Sequence, residues 1–123
     1  MKIATWNVNS INARIEHLVK FIKKDQSDIY LIQELKCMNE VFPYEEIEKL
    51  GYICYVNGQK AWNGVAILSK IKLKILNRKI PTFQEDVQSR FLETEIQINK
   101  IKKPIKLFCI YLPNGNPIET EKF

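Results

Sequence analysis

Ile29-Tyr30-Leu31-Ile32-Gln33-Glu34 is the stretch on which the fold turns. Up to Gln33 it is a compact apolar run with β-branched and aromatic members, which reads as a buried strand. A carboxylate stands at its end. Upstream, residues 2–7 alternate in polarity and read as a shorter strand. Between the two, Ser10 is placed as an N-cap. Ile11, Ile15, Leu18, Val19 and Ile22 then recur at helical spacing, with charges on the other face up to Lys24. Strand, helix, strand is the βαβ arrangement, whose two strands usually run parallel. Asn7 and Glu34 then end their strands at one edge of the sheet, the carboxyl edge where open α/β sheets bind ligands.

Downstream, residues 43–50 read as a short acidic helix with Gly51 at the C′ position. From Tyr52 the pattern changes to strands, expected at 52–56, 64–69, 73–78, 91–98 and 105–111. Turns fall at Asn57-Gly58 and near Pro104, and Pro113-Asn114-Gly115-Asn116-Pro117 is a dense turn signal. No repeat, linker or low-complexity tract interrupts the pattern. The fold class is α/β, expected as one mixed sheet with flanking helices.

At 123 residues the chain has room for one modest domain, and 46% hydrophobic residues argue against wholesale disorder. No run approaches the ~18 apolar residues of a membrane helix, so no membrane partner is expected. The amino terminus lacks the apolar core of a signal peptide. Three cysteines, Cys37, Cys54 and Cys109, lie too far apart for a zinc pattern and are odd in number for disulfides. A reduced, cytoplasmic chain is the expectation. The net charge of +5 fits either a polyanionic partner or a solvated lysine surface, since 16 of the 19 basic residues are lysine. One His (His17) and three Asp (Asp25, Asp28, Asp86) limit the chemistry that the chain can complete.

Glu34 is the sharpest candidate. A carboxylate at the end of a buried strand must be solvated, paired or metal-bound. A salt bridge to Lys36 is the simpler reading; a magnesium ligand is the other, because that hard cation accepts one or two carboxylates plus waters and phosphate oxygens. Asn7 and Asn9 follow the first strand, where asparagine commonly forms turns. Tyr111 ends an apolar strand, and its hydroxyl needs a partner. Arg90 enters a strand and is either a surface arginine or a phosphate contact. Trp6 and Trp62 read as packing residues, Trp62 partly exposed, and His17 as structural.

Taken in order, five blocks resemble bacterial exonuclease III, the AP endonuclease family of the endonuclease/exonuclease/phosphatase superfamily. They are Trp6-Asn7-Val8-Asn9-Ser10, Leu31-Ile32-Gln33-Glu34-Leu35-Lys36, Gly58-Gln59-Lys60, Asn63-Gly64-Val65-Ala66-Ile67-Leu68-Ser69 and Tyr111-Leu112-Pro113-Asn114-Gly115. The resemblance implies the amino-terminal half of a four-layer α/β/β/α sandwich of the DNase I-like kind. It also implies a DNA-repair phosphodiesterase that cuts beside abasic sites and removes nucleotides from 3′ ends of duplex DNA. The cofactor implied is Mg2+, with Mn2+ as a substitute. Glu34 and Asn7 match the family's metal-site residues and Tyr111 its tyrosine at the scissile phosphate. Asn9, Arg90 and Asn114 match site-supporting or DNA-contacting positions. Asn12, where many relatives carry arginine, and Leu35, where threonine is frequent, depart from the pattern.

The resembled family runs to about twice this length. Its Gly-Asp-Phe-Asn and Ser-Asp-His blocks, which supply the catalytic Asp, Asn and His, do not occur in this chain. The implied partners are therefore double-stranded DNA and a carboxy-terminal half that completes the site. A second reading is a catalytically incomplete fragment with at most weak DNA or metal binding. A third is another superfamily activity, such as a lipid or sugar phosphatase, which the Asn63-Gly64-Val65-Ala66 and Tyr111-Leu112-Pro113-Asn114-Gly115 blocks disfavour. A half-sandwich is also expected to leave one face of its sheet bare, favouring association.

Overall fold

The computed structural model describes residues 1–79, 88–97 and 104–112. In chain order the elements are β1 (Ile3–Asn7), α1 (Ile15–Asp25), β2 (Ile29–Gln33), a 3-10 turn (Asn39–Val41), α2 (Tyr44–Glu48), β3 (Ile53–Asn57) and β4 (Val65–Ser69). β5 (Leu73–Asn77), β6 (Phe91–Ile96) and β7 (Ile105–Ile110) follow. The first four strands form a mixed sheet ordered β1-β2-β4-β3, and the last three an antiparallel sheet ordered β5-β6-β7. β1 and β2 run parallel with Asn7 opposite Gln33, as the βαβ reading requires. No helix among the described residues is long and apolar enough to cross a membrane.

β4 organises both layers. All its residues are buried, from Val65 to Ser69. Ala66 and Leu68 join Ile32, Tyr30, Leu18 and Ile22 in a core beneath the helices. Val65 and Ile67 join Ile29, Leu73, Leu92, Ile96 and Cys109 in a core between the sheets. Period-two alternation sends neighbouring side chains to opposite faces, so a continuous apolar strand feeds two cores at once.

The single mixed sheet of the sequence reading is the four-stranded one; the later strands form a second layer instead of extending it. After β4 the chain turns through Ser69, whose hydroxyl donates to the Ile71 carbonyl at 2.6 Å. The Leu73 amide then donates to the Tyr55 hydroxyl at 2.7 Å, anchoring β5 across the first sheet. The expected bare face of the first sheet is therefore covered. Among the described residues, exposed apolar side chains include Phe108 and Ile110 on the outer side of β7, 42% and 45% exposed.

Ser10 does not cap α1. The helix begins at Ile15, with Arg14 at the N-cap position and no side-chain cap. Ser10 has φ +82°, and its amide is drawn to the Glu34 carbonyl at 2.9 Å, with Ile11 bonding Leu35 at 3.0 Å. Ile11 is fully buried from a turn, and its helical spacing to Ile15 is coincidental. Trp62 is 61% exposed, and His17 lies exposed on α1.

At the other end of the sheet, Asp25 ties α1 to β2. It accepts hydrogen bonds from Lys2 Nζ at 2.7 Å, from the Ser27 hydroxyl and from the Tyr30 hydroxyl at 2.9 Å. These donors, Lys2 first, hold its carboxyl far below the usual carboxylate range. A depressed native pKa gives stability that is present above the unfolded value, about 3.9, and is lost as pH falls through the native one. Asp25→Asn is therefore expected to lower the melting temperature at neutral pH, with the deficit shrinking below about pH 4. Thermal melts of both proteins across pH check this; a deficit unchanged down to about pH 2 would remove the assignment.

Candidate active site

Two strand exits and one strand entry are laced together at the carboxyl edge of the mixed sheet. After β1, Val8 bonds the Gln33 carbonyl at 3.0 Å, and Ser10 and Ile11 bond those of Glu34 and Leu35. After β2, the amides of Leu35 and Lys36 donate to Gly64 at 3.1 Å and Asn63 at 3.0 Å. Before β4, the Gly64 amide donates to Ser89 at 2.8 Å. Asn9, Ser10, Glu34, Lys36 and Asn63 all have positive φ, between 48° and 82°. Left-handed backbone at residues other than glycine is strained, and such strain gathers at functional sites. Gly64 is needed for a further reason: at φ +89° a Cβ would lie 2.9 Å from that of Leu35.

Two left-handed residues flanking Leu35 send that side chain into the core and turn Glu34 and Lys36 outward. The Tyr111 hydroxyl donates to Glu34 Oε1 at 2.7 Å. Lys36 Nζ stands 3.7 Å from Oε2, and the Asn7 side chain lies near enough to favour the charged carboxylate. Partial burial pushes the Glu34 carboxyl up, but Tyr111, Asn7 and Lys36 outweigh it and hold it below the ordinary value. Burial and the neighbouring carboxylate push the Tyr111 hydroxyl up to about 12. It therefore stays protonated at neutral pH and serves as a donor.

Asn7 Oδ1 accepts the Asn9 amide at 3.1 Å, which turns its NH2 toward Glu34. Asn9 Oδ1 in turn accepts from Lys36 Nζ at 2.5 Å. Arg90 reaches the same place from the second sheet: its carbonyl accepts the Tyr111 amide at 2.9 Å. Its Nε is buried with no hydrogen-bond partner among the described residues. Asn114 lies outside the described residues. The Asn12 side chain donates to the Val41 carbonyl at 3.2 Å.

Sequence reasoning gave no role to the amides that form the third wall. Asn63 Nδ2 donates to Gln59 Oε1 at 3.1 Å and to Gln88 Oε1. Gln59 Oε1 also accepts the Ser89 amide at 2.8 Å. The signal was the Asn63-Gly64 pair itself, a left-handed dipeptide placed just before a buried strand. Lys36 was visible only as a salt-bridge partner.

The donor set suits a hard cation. Glu34 offers a carboxylate, and the Asn7 amide oxygen retains a lone pair beyond the one that Asn9 uses. Among the described residues no group of three or more His, Cys, Asp or Glu converges. Magnesium tolerates so sparse a set because it keeps waters and takes substrate phosphate oxygens. When bound it would supply charge stabilisation and a template for the phosphate. Glu34 would hold it, Asn7 would steady Glu34, and Tyr111 would present a hydroxyl proton beside it.

Residues 4–105 match the model of the Endonuclease/Exonuclease/phosphatase family. Exodeoxyribonuclease III of Haemophilus influenzae is 40% identical over 97 residues, which span 79% of this chain and 36% of that enzyme. The Neisseria 3′ phosphatase NExo, solved bound to a product DNA hairpin, superposes with TM-score 0.86 at 31% identity. An AP endonuclease from Archaeoglobus fulgidus gives 0.80, also at 31% identity. Each alignment covers 99% of this chain and 45% of the other. The chain thus spans less than half the length of these relatives and corresponds to their amino-terminal portion. Sequence, fold and strand-edge geometry agree: the chain belongs to the endonuclease/exonuclease/phosphatase family of hydrolases, as a partial DNase I-like fold of the exonuclease III type.

Proposed function

We propose that this chain is the amino-terminal part of a DNA-repair phosphodiesterase. Its reactions are magnesium-dependent cleavage beside abasic sites in duplex DNA and removal of nucleotides from 3′ ends, with Mn2+ as a substitute metal. The observation that carries the reading is the Tyr111–Glu34 hydrogen bond, 2.7 Å long. It joins the two sheets at the edge where strand ends collect polar groups, and sets a protonated donor beside a charged carboxylate. Phosphodiester hydrolysis needs both, one against the phosphate oxygens and one for the cation. The relatives' names, an exodeoxyribonuclease, a 3′ phosphatase and an AP endonuclease, support DNA phosphoesters as the substrate class.

In this reading Glu34 and Asn7 serve the metal, Tyr111 the scissile phosphate, and Asn9, Arg90 and Asn114 the DNA. The groups that activate water and protonate the leaving oxygen come from the remaining length of the relatives. A second reading, a catalytically incomplete fragment, draws on the position of the scarce residues. Asp25 and Asp28 stand at the opposite end of β2, and His17 is exposed on α1. None of them approaches Glu34.

The two readings separate in one assay. A synthetic abasic duplex is offered, with magnesium or with chelator, to this chain and to a polypeptide extended to its relatives' full length. Magnesium-dependent incision by the extended protein is the expected result. Its absence there, with the protein folded, would leave the fragment reading standing.

A further inference from the structure

Lys36 is not explained by neutralising Glu34. Its Nζ lies 3.7 Å from the carboxylate, beyond hydrogen-bond range, so the pairing leaves its N–H donors unused. Its close partner is the neutral Asn9 side chain at 2.5 Å. An ammonium has three N–H donors, and Asn9 takes one. The backbone is strained to hold it there: Lys36 has φ +54°, fixed by its amide bond to the Asn63 carbonyl at 3.0 Å. A tethered cation thus stands on the flank of the carboxylate suited to a metal. Two cations at such a spacing repel strongly in a half-buried site. An anion bound by both reverses the sign.

We propose that Lys36 is a phosphate-binding residue that makes metal and DNA binding interdependent. Without DNA its ammonium weakens cation binding at Glu34. A DNA phosphate drawn in by Lys36 screens that repulsion and offers the cation another oxygen, so each ligand raises the affinity for the other, as linkage demands. The inference deepens the nuclease reading and rests on it.

The test measures binding, not turnover. Magnesium affinity is measured by calorimetry with and without an abasic duplex, and duplex affinity in chelator across a salt series, for the protein, Lys36→Met and Lys36→Arg. Lys36→Met is expected to bind magnesium at least about fivefold more tightly in the absence of DNA and to lose most of the enhancement that DNA brings. In chelator its duplex affinity falls, and the slope of log affinity against log salt shrinks by about one. Lys36→Arg restores the slope. Unchanged magnesium affinity and slope in a folded Lys36→Met protein would overturn the inference alone. Failure of the unaltered protein to bind either ligand would overturn the nuclease reading and this inference with it.

Discussion

Glu34→Gln is expected to reduce magnesium-dependent incision of an abasic duplex by about a hundred- to a thousandfold in a polypeptide spanning the relatives' full length. Glutamine keeps the shape of the side chain and an oxygen able to accept the Tyr111 hydroxyl. The laced backbone and the fold are therefore expected to survive, and melting should show it. What disappears is the carboxylate charge that Glu34 places beside Tyr111 and Lys36. A dication held by a neutral amide and waters binds weakly, because hard cations draw their affinity from charged oxygens. Single-turnover rates at several magnesium concentrations read the effect, and excess metal should rescue part of it. A rate within about tenfold of the parent at low magnesium would remove Glu34 from the metal role.

The second large effect concerns the fold. Ile67→Ala is expected to destabilise the protein by about 2–5 kcal/mol, a large share of the ~5–15 kcal/mol of a whole domain. Ile67 is fully buried at the centre of β4, opposite Leu31 on β2 and Tyr55 on β3. Its side chain fills the space between the sheets with Leu92, Ile96 and Cys109. Nothing near it can collapse into the space left, because strands on both sides fix its neighbours. Urea unfolding of the two proteins measures the difference. A loss under about 1 kcal/mol would mean that the inter-sheet core is loosely packed. Leu68→Ala is a matched control: it empties the core on the helical side and leaves the inter-sheet one intact.

Most of the architecture was legible in the sequence because it depends on periodicity. β2 coincides with the apolar run that announced it, and the parallel pairing with β1 followed from the helix between them. The two-layer arrangement was legible only through resemblance. A run of antiparallel strands does not say whether it extends one sheet or starts another, and the Tyr55 hydroxyl that anchors β5 carries no local signal. The start of α1 was misread because Ser10 and Ile11 answer to Glu34 and Leu35, more than twenty residues away in sequence. In the site, Glu34 stood out as a carboxylate where burial makes charge expensive. Lys36 and the Asn63 amide cluster did not, since their importance lies in backbone that only tertiary bonds impose.

Those tertiary bonds also set the tempo of the edge. The segments after β1 and β2 and before β4 are loops by shape, yet the amides of Val8, Ser10, Ile11, Leu35, Lys36 and Gly64 are held by carbonyls of other segments. Loops that carry ligands commonly open and close on their own, and a ligand that must still them binds more weakly for it. Here the stilling is accomplished when the sheets come together. A ligand bound at this edge would meet backbone already fixed, so less of the entropy lost on binding would fall on the loops.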